Sequence, residues 1–276
     1  MKDGLFSFLD FTKPGRDQPE PKQSFVRFWY RYAMRFFHLI RLNLIFFAVS
    51  LPFYVWAMTM YNAYITQEGL KSIALFAALI QYALQWMPAA IRAALVVLSI
   101  LLIGPANAGL QFVAGRYAAG EHAWPWLDFF AAAKENWKQG LLFGVVDALV
   151  IVVSFYYLAG SETLFSAYVG VARAAWIILL VFYGFGRCYL YPIMVQIDLK
   201  VGQLLKNAVL LALVKPWRTL VILLTAAAIA LLCAVADMVI LPLFAYSFLA
   251  YTTGALSAPV IRKYLIDPHK RSGHGT

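Results

Sequence analysis

Six apolar runs set the terms for this chain: roughly 39–61, 91–114, 140–159, 171–192, 218–236 and 239–259. A helix needs about twenty apolar residues to cross the hydrocarbon of a bilayer, and each run supplies about that length. The last two share one stretch of about forty residues, too long for a single crossing and suited to a tight hairpin. It breaks near Asp237 and Pro242. Composition agrees, with 63% of residues hydrophobic and 13% charged, where a soluble domain carries about 25% charged residues. The expected class is all-α: a polytopic membrane helical bundle of about six transmembrane helices, with kinked spans and amphipathic interfacial helices.

The formal charge of +10 could suit nucleic acid, but the basic residues sit between apolar blocks and not on a soluble scaffold, so no nucleic-acid partner is expected. Alternate connecting segments hold 20 Lys and Arg on one side and 3 on the other. Positive residues favour the cytoplasm, so both termini are expected there. Residues 73–87 are apolar but short for a crossing. A crossing at that point would move every later connector to the opposite side and destroy the charge bias. They are therefore read as part of an outer insertion, 62–90. Cys188 and Cys233 both lie in apolar runs, which excludes a disulfide framework.

About forty polar, basic and aromatic residues precede the first run, unlike a secretory signal, and the chain reads as uncleaved. Residues 1–23 read as a flexible cytoplasmic arm rich in proline and charge, 24–262 as the membrane domain, and 263–276 as a cytoplasmic tail. An interfacial helix is expected at 24–38. Its Arg27, Arg31, Arg35 and His38 fall on one helical stripe, with Phe25, Phe28, Trp29, Tyr32 and Phe36 opposite. Such a stripe would face the anionic headgroups of membrane lipids. It would either fix orientation or form a specific lipid or partner site.

Two features place polar atoms at membrane depth. Asp147 lies about seven residues into the third run, roughly 10 Å past the inner boundary, and an ionised acid there costs at least about 2.5 kcal/mol unless partnered. Arg187, near the inner end of the antiparallel fourth run, should reach a similar depth, so the two are a candidate intramembrane pair. Three readings stay open: a fixed lock between helices, a substrate or proton role for Asp147, or no meeting at all. The motif Gly104-Pro105-Ala106-Asn107-Ala108-Gly109 lies inside the second run. It is either a packing kink made by small residues and proline or an unwound stretch offering backbone groups to a ligand. Asn43 reads as an interhelical hydrogen-bonding residue.

The inner connectors are candidate partner-docking surfaces. One carries Asp128, Lys134 and Asn136 on an expected amphipathic helix after Pro125, and the other carries Asp198, Lys206 and Asn207 in the same order but with different spacing. The sequence carries none of the zinc, phosphate-loop or nucleophile-elbow signatures, and its four histidines (His38, His122, His269, His274) are scattered. No catalytic residue, cofactor or metal is therefore expected, and the chain is not read as an enzyme.

Several motifs together resemble the YesL-like family of bacterial membrane proteins. They are Arg41-Leu-Asn-Leu-Ile-Phe-Phe, Ser50-Leu-Pro, the Gly104–Gly109 motif, Asp128-Phe-Phe, Lys134-Glu-Asn-Trp-Lys-Gln-Gly, Tyr191-Pro-Ile-Met-Val-Gln-Ile-Asp, Gln203-Leu-Leu-Lys-Asn-Ala and Lys215-Pro-Trp-Arg-Thr-Leu. They span most of residues 24–230. The resemblance implies a multi-pass protein of the bacterial cytoplasmic membrane with no known function. Members are often encoded beside carbohydrate importers of the ATP-binding-cassette (ABC) type and glycan-degrading enzymes, which implies a role in sugar uptake. The family supplies no catalytic residues, and this chain departs from its shorter members by the insertion at about 54–90.

Three functions follow as expectations: an accessory partner of an ABC-type sugar importer, an autonomous small-solute transporter or channel, or a structural or lipid-interacting membrane protein. An ABC permease ranks last. Its coupling-helix signature needs Glu-Ala-Ala and a later Gly, and Ile197-Asp198-Leu199 with Gly202 does not provide that spacing.

Overall fold

The computed structural model describes residues 25–64, 86–159, 166–235 and 244–267. The arm at 1–23, residues 73–85 of the outer insertion, the Asp237–Pro242 break and the tail beyond 267 lie outside the described residues.

All described regular structure is helical. Helix α1 (Phe25–Met34) turns by 69° into α2 (Phe36–Tyr64). The single interfacial helix expected at 24–38 is therefore two elements. The break falls at Arg35, whose N–H is shared between the carbonyls of Arg31 and Tyr32 at 3.1 Å each, the three-centre bond common at helix ends.

Helix α3 (Ala89–Ala119) has 31 residues, about 46 Å at 1.5 Å per residue, longer than the hydrocarbon is thick. It ends where Gly120 takes φ 88°. Glu121 N–H reaches the Arg116 carbonyl at 2.9 Å and Gly120 N–H that of Tyr117 at 3.1 Å. That bond pair closes a helix through a left-handed residue, where glycine lacks the Cβ that would clash.

Helix α4 (Pro125–Glu135) starts with proline at its first position, where no N–H is needed. It leads into α5 (Trp137–Ala159), and α6 (Ser166–Met194) runs back alongside. Helix α7 (Val201–Val214) turns by 99° into α8 (Pro216–Val235). The Thr219 hydroxyl, fully buried, donates to the Ala212 carbonyl at 2.9 Å and ties this bend together. Helix α9 (Tyr246–Ile261) closes the bundle and continues into one wide π turn, Arg262–Ile266.

Two stretches, Trp137–Ser154 in α5 and Gly170–Met194 in α6, are long and apolar enough to cross a membrane, and there are four if each bent pair, α1–α2 and α7–α8, is one span. The described residues thus carry two to four candidate crossings where six were expected. Of the sixth run, residues 239–243 lie outside the described residues, and α9 covers Tyr246–Ile261.

Large apolar side chains cover the outside of the bundle as well as filling its core. Leu142, Leu149 and Val152 on α5, Ile178, Leu179 and Phe182 on α6, and Leu224 and Leu231 on α8 point outward. Asn43, Ser50, Gln111, Asp147, Thr219, Ser247, Thr252, Thr253 and Ser257 are buried. Apolar side chains outside and hydrogen-bonding ones between helices suit a lipid surround, where packing and polar contacts hold helices together.

Helix α3 is the hub, and glycine makes it one. A Cβ on Gly104 would run into the carbonyl of Gly140 and come within 2.9 Å of Gly144 N, while one on Gly144 would lie 2.8 Å from Gly104 N. The α3 and α5 backbones therefore touch directly. A Cβ on Gly254 of α9 would meet the Gly115 Cα at 2.8 Å. Nearby, the Gln111 amide donates to the Ala250 carbonyl at 3.2 Å. On the α2 side, Ser247 N–H donates to Asn43 Oδ1 at 2.7 Å, so Asn43 joins α2 to α9.

Candidate functional site

Asp147 lies on α5 with a side chain only 11% exposed. Antiparallel α6 presents Tyr183, Arg187 and Tyr191 to it. Their four-residue spacing puts all three on one helical face. Arg187 Nε donates to Asp147 Oδ1 at 3.0 Å and its Nη2 lies 2.9 Å from Oδ2, the two-pronged geometry a guanidinium offers a carboxylate. The Tyr183 hydroxyl also donates to Oδ1, and the Tyr191 hydroxyl donates to Oδ2 at 3.1 Å. The guanidinium carbon lies 4.0 Å from the centre of the Tyr191 ring, a cation–π contact.

Both carboxylate oxygens are thus doubly engaged, and the charge carries its own counter-ion. Above this cluster the Trp176 indole donates to the Ser154 hydroxyl at 3.1 Å. Below it, the Gln139 amide donates to the Leu199 carbonyl at 2.7 Å. Polar contacts thus tie α5 to α6 at Asp147 and Ser154, and to the α6–α7 connector at Gln139. Sequence reading found Asp147 and Arg187 but missed Tyr183 and Tyr191, although the i−4 and i+4 positions around Arg187 carried the signal.

The Gly104–Gly109 motif runs inside unbroken α3, and Pro105 is accommodated within the helix. The unwound alternative is not what the structure contains. Gly104 admits the α5 backbone, and a Cβ on Gly109 would lie 2.5 Å from the Phe129 carbonyl of α4. The Asn107 amide donates to its own helix, to the Ile103 carbonyl at 2.9 Å. Gly104 and Gly109 thus serve close packing, while Asn107 also hydrogen-bonds the Tyr191 side chain.

The basic stripe turns inward, which corrects its expected lipid-facing orientation. Arg31 Nη1 donates to the Ala118 carbonyl at 2.9 Å, and its guanidinium lies beside Gly120. The Arg35 guanidinium sits 5.6 Å from the Tyr117 ring centre, and the His38 ring is 5.9 Å from the same ring. Arg27 is half-buried. The cause is electrostatic: the carbonyl end of α3 carries about half a negative charge and attracts cations. On the aromatic side, Phe28 and Tyr32 pack edge-on against Tyr251, while Phe25 and Trp29 stay exposed.

The docking candidates separate. Asp128 Oδ2 accepts the Trp124 N–H at 2.8 Å, and the Asn136 amide donates to the Ala132 carbonyl at 2.9 Å, so these two cap opposite ends of α4. Asp198 is exposed, and Asn207 lines a groove of about 760 Å³ beside Lys206. The repeated Asp–Lys–Asn order does not keep register. Asp128 is in the first turn of α4 whereas Asp198 precedes α7, and Asn136 ends a helix whereas Asn207 is inside one. What recurs is a short helix leading into a long one. Helix α4 is apolar on both sides: Phe129 and Ala132 are buried, and Trp126, Leu127 and Phe130 face outward.

Residues 39–158 match a family described as a protein of unknown function, DUF624. The YesL-like family, whose motifs the chain resembles, is the known member of that family. The matched segment covers α2 from Leu39, all of α3 and α4, and α5 with Asp147 up to Leu158, and stops before α6. No curated protein and no solved structure matches the chain.

Proposed function

We propose that this chain, whose residues 39–158 match the DUF624 family of unknown function, is a non-catalytic component of the bacterial cytoplasmic membrane that works by docking other membrane proteins. In this reading six spans cross the bilayer and both termini lie in the cytosol. The partner is an ABC-type carbohydrate importer. The importer is supported by the YesL-like resemblance, and the sidedness by the lysine and arginine bias.

One observation favours this reading over autonomous transport. The Asp147 carboxylate already holds Tyr183, Arg187 and Tyr191. A carboxylate that relays protons or binds cargo must exchange partners, and here every exchange would leave the part-buried Arg187 without its counter-ion. The surface this reading assigns to the partner is the outward, apolar face of α4.

Two experiments test the proposal together. Affinity purification in mild detergent should recover permease subunits, and Trp126→Ser with Phe130→Ser should reduce that recovery. Liposomes holding this protein alone should show no saturable solute uptake. Uptake that Asp147→Asn abolishes would overturn the reading in favour of a transporter.

A further inference from the structure

Where α1, α3, α8 and α9 converge, at the carbonyl ends of α3 and α9, lies a cavity of about 540 Å³. Four arginines from four separate segments line it, Arg31, Arg116, Arg218 and Arg262, against one carboxylate, Glu121. For Arg31, Arg116 and Arg218, the contacts that position the guanidinium engage only part of its five-donor fork. Arg31 Nη1 holds the Ala118 carbonyl at 2.9 Å and Arg218 Nη1 holds the Leu256 carbonyl at 3.0 Å. Arg116 lies over the Phe112 ring at 5.1 Å and 3.4 Å from Glu121.

Magnitudes decide the sign of the site. Two helix ends contribute about −0.5 each, and Glu121 one full charge, so the four cations lining the cavity are in excess. Asp128 and Asp267 approach Arg116 and Arg262 from outside the lining, each at 3.8 Å. Both contacts are at the outer limit for an ion pair, and the Arg262–Asp267 pair is about half exposed. Exposed pairs are worth about 0–1 kcal/mol, so a better anion can displace them.

We propose that this cavity binds a phosphate-bearing anion, supplied either as the headgroup of an acidic phospholipid or as a small soluble phosphoester. Its volume falls within the roughly 300–1,000 Å³ of small-molecule sites, and planar guanidinium forks match phosphate oxygens in pairs. Basic pockets between helices at the cytoplasmic boundary suit acidic headgroups. The inference goes beyond the docking function and holds whether or not a permease is the partner.

The test is a native-mass-spectrometry titration of the full-length protein in neutral detergent. The probes are dihexanoyl phosphatidylglycerol, sn-glycerol 3-phosphate and, as control, zwitterionic dihexanoyl phosphatidylcholine. One-to-one saturable binding of either anion, tighter than the control, is expected. Binding of the lipid alone assigns a headgroup, and comparable binding of glycerol phosphate assigns a soluble ligand.

Arg218→Gln and Arg262→Gln should each weaken binding about ten-fold, the loss of one charge-assisted contact. Two further variants keep the arginines. A Cβ at Gly115 meets nothing within 4 Å, so Gly115→Met should fill the space and abolish binding. Asp267→Asn should tighten binding by removing a competitor. The proposal fails if neither anion saturates, if the zwitterionic control binds equally, or if both arginine-preserving variants leave affinity unchanged.

Discussion

At the scale of single residues, Asp147 ties α5 to α6. Removing one member of a buried, hydrogen-bonded ion pair typically costs about 3–5 kcal/mol, because the survivor is left uncompensated. Asp147→Ala is expected near the top of that range. Arg187→Ala is expected lower, since the Asp147 carboxylate keeps its two tyrosine donors. The exchange Asp147→Arg with Arg187→Asp should recover stability that either reversal alone loses. Denaturant unfolding in detergent reads all of these, and an exchange variant no more stable than the single reversals would show that the pair does not join the helices. The pair was legible in the sequence because two charges in apolar runs at matched depths have few ways to be satisfied. The cavity arginines were not legible. Arg31, Arg116, Arg218 and Arg262 are far apart in the chain, and each reads alone as an orientation charge.

Single elements show where periodicity succeeds and where it stops. The apolar runs located α2, α3, α5, α6 and α8 closely, because length and hydropathy dictate helix in lipid. The 69° and 99° turns carried no comparable signal. Arg35 sits within an unbroken stripe pattern, and the structure turns the chain there so that Arg31 can reach the end of α3. Such tertiary bonds override local period. The Gly104–Gly109 motif was read correctly as small but could not disclose its neighbours, since Gly140 and Gly144 lie on another run. Gly104→Leu and Gly140→Leu should each separate α3 from α5, at about 1–3 kcal/mol or more for overpacking. Gly170→Ala and Gly202→Ala, whose added Cβ atoms meet nothing within 4 Å, should be neutral or stabilising by up to about 1 kcal/mol. Thermal scans of the four variants check the contrast, and equal effects at all four positions would remove the backbone contact as the cause.

For the whole molecule, the helices share a common polarity of ends. The C-terminal ends of α3, α6 and α9 and the N-terminal ends of α5 and α8 gather on one side, joined by α4 and α7, while Gly170 near the start of α6 lies at the other. Single cysteines replacing Lys134 or Lys206 should therefore react with a membrane-impermeant maleimide only after the inner face is opened. A cysteine replacing Gly170 should react in intact cells. The opposite pattern would invert the molecule and relocate the arginine cavity to the outer leaflet. The expected sidedness rests on the charge bias, because topology selection counts lysines and arginines, not contacts. It gave no means of seeing which connectors fold back against the bundle.

The glycine contacts of α3 have a mechanical consequence. Gly104 and Gly109 sit roughly 140° apart around the helix and bring α5 and α4 against it from different directions, while α9 presses at Gly115. A rod clamped in this way can neither roll nor slide by a turn without backbone collisions. Any large displacement in this protein therefore belongs to its periphery, to α1 and the α7–α8 elbow, with the middle rod as the stationary spindle. Spin-label distances between α3 and α5 should stay narrow under conditions that broaden those between α3 and α7.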